Sequence, residues 1–320
     1  MVRPHEFESQ ITGALWGSVV GDALGVPVEF LTREEISANP VSGMRGYGTH
    51  QQPAGTWSDD TSLMICTVES LLGSNTLNTR DMATRFRRWL LEGHWTPYGE
   101  VFDLGIATRQ ALARFCAGKP PERCGGREEF DNGNGSLMRV LPACLWFHTA
   151  HISTQLEAIH RVSSITHAHP RALIACGFFT LMVRALFAGK PPAEALQDAW
   201  QQAKSYYTVL EEFAGEWSHF ARLDPATFAQ IPQSEIRGSG YCVHTLEASI
   251  WCLLHGSSFE DTLLQAVNLG EDTDTTGSVT GALAGLHYGY AAIPPAWLEL
   301  LARRYEIKSV FKVFATRLRC

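Results

Sequence analysis

Apolar residues recur at helical spacing along nearly the whole chain, in segments 11–20, 63–72, 82–91, 104–115, 137–147, 156–162, 172–187, 193–203, 243–254, 259–267, 279–287 and 296–305. A repeat of about 3.6 residues buries one face of a helix, whereas a half-buried strand needs strict alternation. Long alternating runs are absent, so the pattern predicts an all-α fold of about a dozen helices joined by Gly- and Pro-rich loops. Leu173–Val183 is apolar on every side and belongs at the centre of a large bundle. That stretch is too short to span a bilayer and ends at Arg184. Small residues in 13–17 and 277–285 would let two helices approach closely. Ala-Gly-Lys-Pro-Pro occurs at 117–121 and 188–192, and reads as two helix stops rather than a repeat. No low-complexity linker divides the 320 residues, which are read as one domain with a core over about 10–305.

The formal charge of −7, with no block of Lys or Arg, argues against non-specific nucleic-acid binding. Eight scattered cysteines include no CxxC pair and no zinc spacing, so reduced thiols are expected. The N-terminal residues lack the basic and apolar regions of a signal peptide, and a cytoplasmic protein is expected, with neither a nucleic-acid nor a membrane partner.

Two acidic clusters stand near opposite ends of the chain: Trp57-Ser58-Asp59-Asp60-Thr61, and Gly270-Glu271-Asp272-Thr273-Asp274-Thr275-Thr276-Gly277. Each precedes an apolar run, so each reads as a loop entering a helix N-terminus, where Asp, Ser and Thr commonly cap. Capping needs one oxygen per helix end, and each cluster offers two carboxylates and a hydroxyl. If the clusters meet, their repulsion requires a hard cation, and oxygen-only donors favour Mg2+, Mn2+ or Ca2+ over zinc.

Five further segments have both structural and chemical readings. Asp22 and Glu29 lie where a helix breaks into Gly and Pro, and read as a residue bonding nearby amides and a solvated loop carboxylate. Asp103 reads as a helix cap. Asn132-Gly133-Asn134-Gly135-Ser136 supplies turn residues and free amides before an apolar helix, suited to an anion. His167 and His169 lack a third nitrogen or sulfur ligand, so hydrogen bonding is favoured over metal binding. Gly238-Ser239-Gly240-Tyr241 ends in a ring that would stack on a base or ribose, or start a core helix.

Together these segments resemble the ADP-ribosylglycohydrolase family, through GALWGSVVGDALGVPVEF (13–30), GTWSDDTSL (55–63), FDLGIATRQAL (102–112), NGNGSLMRVLP (132–142), THAHP (166–170), GSGYCVHTLEASIW (238–251) and AVNLGEDTDTTGSVTGALAG (266–285). The resemblance implies a compact single-domain orthogonal helical bundle with a binuclear cleft for two Mg2+ or Mn2+ ions. It implies that Ser58, Asp59, Asp60, Asp272, Asp274 and Thr275 hold the metals and that Glu29 and Asp103 are catalytic. Asn134, Gly135, Ser136 and Met138 would line the diphosphate or ribose side, His167 would face the cleft, and Gly240 and Tyr241 would lie against ADP-ribose. The implied activity is hydrolysis of the bond between ADP-ribose and an acceptor, on a modified protein or a small conjugate, through an arginine or a hydroxyl. Oligomeric state is left open.

Four positions depart from the family pattern: Ser58 for Thr, Glu271 for Gly, Ile106 for Asn and His244 for Asp. Glu271 adds charge where ADP-ribose would approach, and the four bear on the leaving group more than on the metal. The rival readings are a catalytically idle member of the same fold that binds ADP-ribose or serves as a structural protein, against which the retained Asp residues argue, and a metal-dependent phosphohydrolase, which the Asn/Gly segment and Tyr241 suit less well.

Overall fold

The computed structural model describes residues 4–319. Fifteen α-helices follow in order among the described residues: α1 Pro4–Gly25, α2 Arg33–Ala38, α3 Asp59–Ser74, α4 Thr79–Glu92, α5 Ile106–Cys116, α6 Leu141–Trp146, α7 Ile152–Ser163 and α8 Pro170–Phe187, then α9 Pro192–Tyr207, α10 Glu211–Ala214, α11 Cys242–His255, α12 Phe259–Val267, α13 Thr273–Tyr288, α14 Pro295–Leu300 and α15 Arg304–Leu318. The described residues contain no strand, only three isolated bridges, and form one all-α domain.

Sequence signals place most boundaries. Both Ala-Gly-Lys-Pro-Pro segments end helices as expected, with Gly118 and Gly189 at φ +90° and +83°. There the Lys119 amide reaches back to the Arg114 carbonyl and the Lys190 amide to that of Ala185, the bonding of a Schellman stop. Two expected helices are broken instead. Segment 137–147 divides into a 3-10 turn over Leu137–Arg139 and α6, with Pro142, which has no amide to donate, in the first turn of α6. Segment 296–305 is split between α14 and α15 by Arg303 at φ 52°. α15 then adds Ile307, Phe311 and Phe314 to the core beyond residue 305.

α8 is longer than its apolar stretch predicts. It and the window Phe7–Val28 both reach the length and hydropathy of a bilayer span, yet 83% and 94% of their residues are buried within the protein. A helix apolar all round is satisfied by protein neighbours, and α8 packs against α7, α9, α11 and α13.

The contact that positions the site is α1 against α13. A Cβ built on Gly13, Gly17 or Gly21 would lie 2.4, 2.1 or 1.9 Å from the carbonyl oxygen of Gly285, Gly281 or Gly277. One on Gly25 would lie 2.3 Å from the Asp274 amide. The pairs run antiparallel, and at four-residue spacing they form a stripe on which two backbones touch without side chains. This seats the second acidic cluster beside the end of α1, where the chain turns toward the first.

Candidate active site

Asp22, near the end of α1, is fully buried. Its carboxylate accepts from the Ser58 amide at 2.9 and 3.1 Å, the Thr61 amide at 3.0 Å and the Thr61 hydroxyl at 2.6 Å. Asp22 thus bonds backbone amides as expected, but those of a distant segment, and it caps α3 from another helix. Burial pushes its pKa up to about 6 although these four bonds pull it down. Because α3 is capped from outside, the Asp59 and Asp60 carboxylates are not needed for capping.

The two clusters meet at the N-termini of α3 and α13. Thr275 Oγ1 donates to Asp60 Oδ2 at 3.2 Å, and Ser58 Oγ lies 3.4 Å from the same oxygen. Asp272 occupies the N-cap position of α13 without a side-chain cap bond, and instead accepts from Asn134 Nδ2 at 2.8 Å. Burial, then neighbouring carboxylates, pushes Asp59, Asp60 and Asp274 well above the usual carboxylate range. Asp60 Oδ1 and Asp274 Oδ2 are buried and accept no hydrogen bond. Orphaned anionic oxygens at two helix N-termini, facing other carboxylates, fit a divalent cation with oxygen ligands. A second acidic group, Glu129, His169 and Glu216, differs because Arg171 already bridges its two carboxylates.

Glu29 is buried rather than solvated, with a carboxylate oxygen within 4.8 Å of ligand atoms of both Asp272 and Asp274. Burial raises its pKa to about 8, with Asp103 and Asp272 adding to the rise and a hydrogen bond from His50 opposing it. Glu29, His50 and Asp103 likewise bring one ligand atom each to within 4.8 Å of one another. Asp103 does not cap a helix, since α5 begins after Gly105; it sits half-buried at φ 47°, an unusual backbone for a residue with a Cβ. Burial raises its pKa, while His50 and a hydrogen bond with Asp59 act against the rise. Sequence reasoning missed His50; its one signal was its place in a Gly- and Pro-rich segment leading into the first acidic cluster.

Across Asp272 lies the Asn/Gly loop. Asn134 N donates to Gly240 O at 3.0 Å and Cys242 N to Asn132 O at 3.1 Å, so the loop is zipped to the segment ahead of α11. Asn134 Nδ2 is shared between Asp272 and Thr245 Oγ1, both at 2.8 Å. Gly240 lies against Asp272, where a Cβ would be 3.0 Å from Oδ2, and Tyr241 beside it is half-buried. The amides of Gly135 and Ser136 find no protein acceptor among the described residues. Three side chains point elsewhere than the sequence implied. Ser136 Oγ is taken by Ser163 at 2.7 Å and Cys176 at 3.4 Å, and Met138 packs in the core. His167 is buried rather than open to a cleft: Gly135 has room for its ring only because it lacks a Cβ, which would lie 2.8 Å from Cε1. Burial, then Arg139, pushes His167 down to about 3, so its ring is neutral.

The model of the family described as ADP-ribosylglycohydrolase matches residues 3–319. The chain belongs to that family. It is 30% identical over 312 residues to ADP-ribosylarginine hydrolase Tri1 of Pseudomonas putida (strain GB-1), covering 97% of this chain and 78% of the relative. It is 30% identical over 306 residues to ADP-ribosyl-[dinitrogen reductase] glycohydrolase of Rhodospirillum rubrum, covering 92% and 90%. A solved ADP-ribosylglycohydrolase-related protein complex superposes with TM-score 0.81 at 33% identity, over 99% of this chain and all of that one. This ADP-ribosylglycohydrolase is accordingly a metal-dependent glycosidic-bond hydrolase.

The departures lie around its cleft. Ile106 is 76% exposed at the start of α5, and the His244 ring bonds Ser239 Oγ at 2.7 Å. Glu271 is exposed at φ 66°, and its backbone exchanges hydrogen bonds with Phe30 and Leu31, so it lies on backbone adjacent to the segment that follows Glu29.

These carboxylates give metal stabilisation a pH dependence. Asp22 and Glu29 are raised, to about 6 and about 8, so without metal their contribution is present at acid pH and is lost as pH rises through those values. A cation offsets the loss. The shift in melting temperature between Mn2+ and EDTA should therefore be larger near pH 8 than near pH 5.5, measured by differential scanning fluorimetry. Taking the difference cancels the opposing effect of the buried histidines. A shift independent of pH would contradict this site electrostatics.

Proposed function

We propose that this ADP-ribosylglycohydrolase uses two Mg2+ or Mn2+ ions to release ADP-ribose from an arginine side chain of a modified protein. The observation that carries the arginine reading is the character of the cleft mouth. Phe30, 64% exposed, follows Glu29 in the chain, and its amide donates to the carbonyl of the exposed Glu271, so an aromatic ring and an additional carboxylate are carried on neighbouring backbone next to Glu29, a combination suited to a planar guanidinium. A serine hydroxyl leaving group has no use for such charge. The names of the Pseudomonas and Serratia relatives, both ADP-ribosylarginine hydrolases, support the same linkage.

Asp59, Asp60, Asp272 and Asp274, with the hydroxyls of Ser58 and Thr275, would hold the ions. Bound there, the ions would supply Lewis acidity toward the ribose and an attacking water. The chain supplies the rest. The Gly135 and Ser136 amides would receive the diphosphate, and Tyr241 would lie along the nucleotide. Asn134 holds Asp272 in place. Asp103 and Glu29 stand together where two protons must move: one leaves the attacking water, and one goes to the guanidine nitrogen as its bond to the anomeric carbon breaks.

A linkage panel tests the acceptor: arginine-linked ADP-ribose should be released with a much larger kcat/KM than serine-linked. Equal or reversed preference would overturn the arginine assignment. Asp103→Asn and Glu29→Gln should each lower kcat by about 10^2- to 10^4-fold with KM little changed. A wild-type kcat in either removes that residue from the chemistry.

A further inference from the structure

We propose that the turn Tyr47–Gln52 is a clamp that orients the Glu29 carboxylate, with His50 as its positioning residue. The inference rests on the reading of Glu29 as a carboxylate at the reacting centre. The turn grips Glu29 at two points: Thr49 Oγ1 donates to the Glu29 carbonyl at 2.7 Å, and His50 Nε2 hydrogen-bonds the Glu29 carboxylate oxygen Oε2. The Glu29 backbone and side chain are thus both held by adjacent residues of one turn.

The turn is built at some conformational cost. Tyr47, Gly48 and Gln51 have φ of 66°, 62° and 54°, and a Cβ on Gly48 would lie 1.8 Å from the Pro27 carbonyl oxygen. Two side-chain-bearing residues in the left-handed region within six positions are unfavourable unless the surroundings fix them. Here the turn closes on itself through the Tyr47 amide and Gln52 carbonyl, and Gly48 lets it lie directly on the backbone ahead of Glu29. The His50 ring is fixed in turn by aromatic neighbours, with centroids 5.9 Å from Phe30 and 5.3 Å from Phe102. Phe30 follows Glu29 and Phe102 precedes Asp103, so the imidazole is wedged between the two segments that carry the reacting carboxylates.

Glu29 needs such a restraint. Ligand atoms of Asp103, Asp272 and Asp274 all lie near its carboxyl group, and the bond to His50 singles out one position for it among them. No arginine or lysine holds it among the described residues; the partner is His50. His50 is outside the six residues proposed to hold the metals, so on this proposal its loss should show in turnover before it shows in metal binding.

The test measures kcat, KM, Mn2+ affinity and melting temperature on the full chain for His50→Ala and His50→Gln, each alone and with Glu29→Gln. His50→Ala should lower kcat by about 10- to 100-fold, the usual range for a group that orients a reacting side chain, with KM and Mn2+ affinity unchanged. His50→Gln should recover most of the rate, because its amide can donate to the same oxygen. With Glu29→Gln already present, His50→Ala should add no further loss. Wild-type kcat in His50→Ala, an equal loss of Mn2+ affinity, or an additive loss in the double variant would overturn the clamp. If Glu29→Gln alone keeps the wild-type rate, it is the reading of Glu29 that fails, and the clamp falls with it.

Discussion

Asp274→Asn is expected to melt at a higher temperature than the wild type in EDTA and to lose both its response to metal and its turnover. Asp274 is buried at the N-terminus of α13, with Oδ2 unpartnered and Glu29, Asp103, Asp60 and Asp272 acting on it. In the metal-free protein such a group is a liability. Its raised pKa means that stability is lost as pH rises above the ordinary carboxylate range, and an amide cannot ionise. The gain should therefore be largest near pH 8 and vanish near pH 4. Removing a buried charge that has no cationic partner removes its desolvation cost, so the metal-free protein should gain stability. Activity should fall by about a thousandfold or more, since a bound metal contributes several kcal/mol of transition-state stabilisation. Thermal melts with and without Mn2+ and an ADP-ribose release assay read both effects. A variant less stable in EDTA, or still stabilised by Mn2+, would show that Asp274 has a structural role.

The second large effect is on folding. Gly21→Ala should destabilise by about 3 kcal/mol or more, the upper end for overpacking, because its Cβ would lie 1.9 Å from the Gly277 carbonyl and 2.3 Å from the Gly277 carbonyl carbon, both backbone atoms. Relief requires α1 and α13 to separate. Asp22 and Asp274 ride on those helices, so any folded fraction should also bind metal poorly. Gly73→Ala is the matched control. Gly73 is an exposed helical position where a Cβ would meet only Arg85 Nη2, at 3.3 Å and not backbone, so its replacement should change stability by no more than about 1 kcal/mol in either direction. Urea unfolding of both variants checks the pair, and similar behaviour at the two positions would contradict direct backbone contact between α1 and α13.

Much of this was legible in the sequence because helical folds announce themselves locally. The apolar period of α8, the paired helix stops at Gly118 and Gly189 and the small-residue stripes of α1 and α13 each constrain structure within one or two turns. The acidic clusters were legible for a related reason: two carboxylates and a hydroxyl exceed what a helix end needs. Less legible was whatever depends on distant partners. Asp103 reads as a cap by its position before α5, but the chain stays irregular to Gly105 and turns Asp103 toward His50 and Asp59. Asp22 reads as a residue bonding nearby backbone amides, and it does bond amides, but they lie 36 and 39 residues away in the chain. Ser136 belongs to a motif suited to phosphate, yet its hydroxyl serves Ser163 and Cys176 and only its amide lacks a protein acceptor. His50 is invisible by spacing because its place follows from left-handed residues that include Tyr47 and Gln51, neither of which favours such a turn.

If Ser58–Asp60 and Asp272–Thr275, at the N-termini of α3 and α13, form a single metal centre on which hydrolysis depends, the most direct test is release of free ADP-ribose from an arginine-ADP-ribosylated protein after EDTA treatment, followed by titration with Mn2+ while bound metal is counted. The predicted result is no release in EDTA and full recovery as two ions bind per chain. Undiminished release from the metal-free protein would contradict the account.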